Sequence, residues 1–78
     1  ALNLFNSEFV FEQAEFLAAR LKSSGDDNKS IVTQSYQLCF GREPSSVEAI
    51  QAIEMIDQIG LIQYCRMMLN SNEFVFIL

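Results

Sequence analysis

Residues 40–61 read FGREPSSVEAIQAIEMIDQIGL, and within this stretch one helix ends, a second runs its full course and a third begins. Gly41 is a stop signal for whatever precedes it, and Glu43 stands before Pro44, which steers it out of helical geometry. Ser45-Ser46-Val47-Glu48 is a Ser-x-x-Glu capping box. It opens a helix in which Ala49, Ile50, Ala52, Ile53 and Ile56 are expected to share one apolar face. Gly60 breaks that helix. The segment from Leu61 to about Leu69 then reads as another, with Leu61, Tyr64, Cys65, Met68 and Leu69 facing inward.

Working upstream, the segment before Gly41 has its apolar side on Ile31, Val32, Tyr36, Cys39 and Phe40, with Leu38 near the edge and Asp26 or Asp27 as the N-cap. Before it, Val10, Ala14, Leu17, Ala18 and Leu21 recur at three- and four-residue steps, the spacing of an amphipathic helix. Phe9 and Phe16 widen that stripe. Ser7 is the expected N-cap, with Glu8 where the helix dipole favours an acid. The helix should stop between Lys22 and Ser24, leaving Gly25 for a left-handed cap. No useful strand alternation occurs. The expected fold is all-α, a small bundle of four helices with a short C-terminal turn.

That last turn comes from a near-repeat. Asn6-Ser7-Glu8-Phe9-Val10-Phe11 is echoed by Asn70-Ser71-Asn72-Glu73-Phe74-Val75-Phe76, with one inserted Asn. The second copy follows a helix, so Ser71 is expected to cap a short turn that folds Phe74 and Phe76 back onto the bundle. Residues 1–78 read as one helical domain, excised from a larger protein. Half of the chain is hydrophobic, enough for a core in a domain near the lower size limit for folding unaided.

Composition narrows the chemistry. Ten acidic and five basic residues give a net charge of −5, and the cations Arg20, Lys22, Lys29, Arg42 and Arg66 are scattered. Nucleic-acid binding needs clustered Lys and Arg, so no nucleic acid is expected as a partner. No apolar run approaches the ~18 residues of a transmembrane helix, so no membrane insertion is expected. The absence of histidine removes Ser-His-Asp and Cys-His nucleophile systems and His-containing zinc sites. Cys39 and Cys65 lie far apart in apolar stretches and read as buried thiols. The expectation is a non-enzymatic domain with no cofactor and no metal.

Three features remain as candidates. Glu8, Glu12 and Glu15 share one side of the first helix, where carboxylates can hold a hard cation, though a solvated acidic face is the simpler reading. Gly41-Arg42-Glu43-Pro44 is a compact turn in which Arg42 should tie the loop to a carboxylate such as Glu73 or to helix-end carbonyls. Phe5, Phe9, Phe11, Phe74 and Phe76 form the best candidate interaction surface, because a short bundle cannot easily bury so many rings.

Three blocks carry a resemblance: LFNSEFVFEQAEFLAARL (4–21), YQLCFGREPSSVEA (36–49) and LNSNEFVF (69–76). Together they resemble the C-terminal portion of a planctomycete domain-of-unknown-function family, in order and over nearly the whole chain. Tyr36, Gly41, Arg42, Pro44, Asn70, Ser71, Glu73 and Phe74 match its motifs. The resemblance implies a module at the C-terminus of large exported proteins that also carry cytochrome-c-like domains, hence an extracytoplasmic location, and it implies no catalytic residue. Cys39 and Cys65 depart from the family pattern, so no family-wide redox role follows for them. A second helical family of unknown function in bacterial surface proteins shares the Gly-Arg-x-Pro turn and the later Ser-x-Glu-Phe motif, but not the opening block.

The functional expectation is therefore a helical interaction or structural module that packs against the remainder of its parent chain, or against another protein, through its aromatic ends. The alternative is a divalent-cation or small-ligand module using the acidic helix face.

Overall fold

The structure, a computed structural model, describes residues 7–71. They form four helices and no strand: α1 (Ser7–Ser24), α2 (Asn28–Phe40), α3 (Ser46–Ile59) and α4 (Leu61–Leu69). The all-α expectation holds. Phe5, Glu73, Phe74 and Phe76, and with them the expected C-terminal turn, lie outside the described residues.

The ends of the helices explain their bounds. Asp27 takes extended geometry and accepts a hydrogen bond from the Ser30 N–H at 3.2 Å, starting α2. Gly41 ends it in the left-handed region (φ 69°, ψ 22°), its N–H donating to the Gln37 carbonyl. Ser45 Oγ accepts from the Glu48 N–H, while Glu48 Oε1 accepts from the Ser45 N–H, so the capping box is complete. Gly60 serves two helices at once. Its N–H donates to Ile56 O at 2.9 Å and closes α3, and its carbonyl accepts from the Tyr64 N–H at 3.1 Å and opens α4. At φ 89° and ψ 162° it occupies backbone space that is essentially restricted to glycine.

Two local expectations are corrected. Ser7 is itself helical, so it stands within α1 rather than as a cap outside it. Gly25 does not adopt a left-handed conformation; among the described residues only Gly41 and Gly60 have positive φ. The end of α1 is closed instead by the Ser23 and Ser24 hydroxyls, which both donate to the Arg20 carbonyl, at 2.7 and 3.3 Å.

The helices pack in a ring, α1 against α2, α2 against α3, α3 against α4, and α4 most extensively against α1. Asn28 at the start of α2 donates to Asp57 near the end of α3 at 2.9 Å, and Arg42 just after α2 meets Glu48 at the start of α3. The α2–α3 pair is therefore antiparallel. Inside the ring lie Ala14, Ala18, Leu21, Ile31, Val32, Tyr36, Cys39, Ala52, Ile56, Tyr64, Cys65 and Met68.

The apolar periodicity places most of these correctly and three residues wrongly, among them Phe9, expected to widen the core stripe of α1 and exposed instead. Phe16, expected to widen the core stripe of α1, is 70% exposed. On a 3.6-residue helix it stands roughly 150° from the middle of the stripe formed by Val10, Ala14, Ala18 and Leu21. Ile50, expected on the inner face of α3, is 61% exposed, for it stands roughly 160° from Ala52. Leu17 is only half-buried and packs at the edge of the core.

Candidate interaction surface

The first helix is dressed in reverse. Its inner face carries Val10, Ala14, Ala18 and Leu21, two of them alanines, while Phe9, Phe11 and Phe16 are exposed. The alanines leave room on the inner side of α1 for its neighbours, and the rings that the core does hold, Tyr36 and Tyr64, come from α2 and α4. Phe9 and Phe16 are two turns apart and share the outward face. Phe11 turns toward α4, where the Arg66 guanidinium lies 5.9 Å from its ring centroid, within cation–π range.

Beside Phe16 runs a shallow groove of about 280 Å³, floored by Leu17, Leu38, Cys39 and Leu69 and edged by Gln13 and Arg20. Two further patches lie elsewhere. Val47 and Ile50 project outward from α3. Ile59 and Ile62 flank Gly60 above a groove that also borders Ala19 and Lys22. Of the expected aromatic group, the structure thus shows Phe9 and Phe11 with substantial exposed area and adds Phe16. A helical wheel is enough to find Phe16; counting it into the core stripe hides it.

The Gly-Arg turn is built as a closed unit. Arg42 donates from both terminal nitrogens to the two carboxylate oxygens of Glu48, each at 2.9 Å, and from Nη1 to the Glu43 carbonyl at 3.1 Å. Its guanidinium lies 5.2 Å from the Tyr36 ring and 5.8 Å from Phe40, which meet each other edge to face. Glu48 is thus a carboxylate partner of Arg42, while Glu73 lies outside the described residues. Glu48 is also the acid of the capping box, and a carboxylate has lone pairs for both tasks. The Arg42 guanidinium, and secondarily the Ser45 N–H, hold the Glu48 carboxyl down at about 2. Pro44 is half-buried behind this turn. At the other end of the chain, Asn70 donates its N–H to Arg66 O and Ser71 to Met68 O, which closes α4.

One polar pair in the core has no counterpart among the sequence expectations. Ser35 is fully buried, and its hydroxyl donates to Val32 O at 2.7 Å. Its one proton being used there, Ser35 Oγ accepts from Tyr64 Oη, also at 2.7 Å. This bond joins α2 to α4. Position 35 lies four residues after Ile31 and four before Cys39, so its burial is legible from spacing. Burial pushes the Tyr64 hydroxyl up to about 12, Cys39 to about 11 and Cys65 to about 12. Both cysteines are free and buried, and such thiols stay protonated and unreactive at neutral pH.

Glu8, Glu12 and Glu15 are all exposed on α1. Among the described residues, no three His, Cys, Asp or Glu side chains converge as a metal-binding set. Nor is any described helix long and apolar enough to cross a membrane.

Comparison of the chain with protein-family models, with curated proteins and with solved structures finds no match to any of them.

Proposed function

We propose that this chain is a non-catalytic helical interaction module that packs against another polypeptide surface, either the remainder of a longer parent chain or a separate protein. The observation that carries this reading is the inverted dressing of α1, with alanines inside and three phenylalanines carrying exposed area. Exposed large apolar side chains sharing one helix face, as Phe9 and Phe16 do, are the kind of surface that marks docking sites. The closed state of the polar groups supports the same reading. Arg42 is held by Glu48, Ser35 by Tyr64, and the thiols are protonated in the core, so none is poised as a nucleophile or base. The resemblance to a C-terminal module of exported proteins adds an extracytoplasmic setting to the proposal.

The test is an NMR titration of the isotope-labelled chain with the separately expressed remainder of the parent protein. Shifts concentrated at Phe9, Phe11 and Phe16 support docking. An unchanged spectrum, together with no fluorescence gain from an apolar-surface dye, sinks the module reading altogether. The second reading, a divalent-cation or small-ligand module on the Glu8, Glu12 and Glu15 face, rests on one exposed carboxylate per turn without a converging partner. Calcium addition that leaves the melting temperature unchanged would dispose of it.

A further inference from the structure

The outward face of α1 has a property that exposed area alone does not give: it is complementary to itself. Glu12 stands one turn before its midpoint and Arg20 one turn after it, while Glu15 and Lys22 turn aside toward the groove at Gly60. Phe16 stands between Glu12 and Arg20 and is the most exposed large apolar side chain among the described residues, at 70%. Glu12, Gln13, Ala19, Arg20 and Ser23 surround it on the same face, and all are exposed. Among the described residues, neither Glu12 nor Arg20 is engaged in an ion pair.

We infer that α1 pairs with α1 of a second copy of this chain, antiparallel, across a two-fold axis at Phe16. A two-fold contact uses the same patch twice. With the axis at position 16, Phe16 meets Phe16, Glu12 meets Arg20 of the second copy, and Arg20 meets its Glu12. Gln13 faces Ala19, a small residue that lets the helices approach. A parallel pairing would instead set Glu12 against Glu12 and Arg20 against Arg20, so the charge pattern selects the antiparallel arrangement. Leu38 and the groove beside Phe16 extend the apolar contact on one flank.

The contact is one helix face. It is smaller than the ~800 Å² per partner of a standard stable interface, so the dimer is weak and concentration-dependent. This pairing goes beyond the docking reading and stands or falls separately, because Glu12 and Arg20 can be altered while Phe9 and Phe11 remain.

Sedimentation equilibrium of the full chain from ~10 μM to ~1 mM spans the range in which so small a contact associates. The expected result is a monomer–dimer equilibrium that Phe16→Glu abolishes. Glu12→Arg alone and Arg20→Glu alone should each weaken it by about tenfold or more, since each sets like charges face to face. An equimolar mixture of those two variants should dimerise again. One chain of the mixed pair then presents only basic groups at positions 12 and 20, and the other only acidic ones, so every facing pair is opposite in charge. The altered side chains are exposed, and circular dichroism checks that each variant keeps its helicity. A wild-type chain that stays monomeric throughout overturns the inference. So does association that survives Phe16→Glu, or a mixture that does no better than its components.

Discussion

Helix α1 and the α2–α3 corner solve the same problem in opposite ways. At the corner, the polar side chains partner one another locally: Ser45 and Glu48 cap each other, Arg42 clasps Glu48, and the aromatic rings of Tyr36 and Phe40 lie under the guanidinium. The corner is a finished surface. Along α1, the inner side is finished by alanines against α4, while the outer side offers a phenylalanine with charges of opposite sign before and after it. The comparison teaches that a helix can finish its inner side with small residues. Large apolar residues on the same helix are then left for a different contact.

The contrast can be broken at its strongest point first. Leu21 is fully buried at the inner side of α1, so Leu21→Ala should destabilise by roughly 2–5 kcal/mol, measured by urea unfolding. In so small a domain that is a large share of the total. A loss below ~1 kcal/mol would mean that α1 is not held by its inner face.

At the corner, Ser45→Ala removes the cap of α3 and should cost about 1 kcal/mol, as such caps do. An unchanged unfolding midpoint would show that the Glu48 side of the box suffices. Arg42→Ala should have a smaller effect at neutral pH, because the ion pair is partly exposed and screened. Its signature lies in acid. Glu48 titrates at about 2 when folded, against an ordinary value of 4.5. The pair's contribution is therefore full above about 4.5 and is lost as the pH falls toward about 2. Melting temperature followed over that window should fall less steeply in Arg42→Ala than in the parent chain. Parallel curves would remove the clasp as a source of stability.

The smallest effect belongs to the outer side. Phe16→Ser should change the unfolding free energy of dilute chain by less than ~0.5 kcal/mol, since the ring has little to lose within its own bundle. A loss comparable to that of Leu21→Ala would place Phe16 in the core after all and collapse the contrast.

Much of the fold is legible in the sequence because its punctuation is local. Asp27, Gly41, the Ser45–Glu48 box and Gly60 act through neighbours three or four residues away, so the sequence contains both partners. Which of two apolar residues faces inward is a different kind of question. Phe16 and Ile50 are misplaced only by counting every apolar residue into the stripe, since a 3.6-residue wheel already sets each roughly 150–160° from the core side. Alanine at 14, 18 and 52 marks that side. The Ser35–Tyr64 bond joins residues on helices that are not sequence neighbours, and neither side chain announces the other. Gly25 misleads for a third reason. A glycine after a helix is a good cap, but two serine hydroxyls already satisfy the carbonyl at Arg20. Of the candidate surface, Phe11 carries exposed area as the sequence suggests, whereas Phe9 and Phe16 are hidden when they are counted into the apolar stripe of α1.

Gly60 has a consequence for the order of assembly. Because one residue joins α3 to α4, bringing those helices together closes almost no loop, and little chain entropy is lost in doing so. The α1–α4 contact, the largest in the bundle, must instead draw in opposite ends of the chain. The bend at Gly60 thus forms early and the ring closes late. Gly60→Ala, which strains that bend, should slow refolding in a chevron experiment and leave the unfolding arm nearly unmoved. A position where an added side chain would touch nothing in the finished molecule would then set the pace at which the molecule is made.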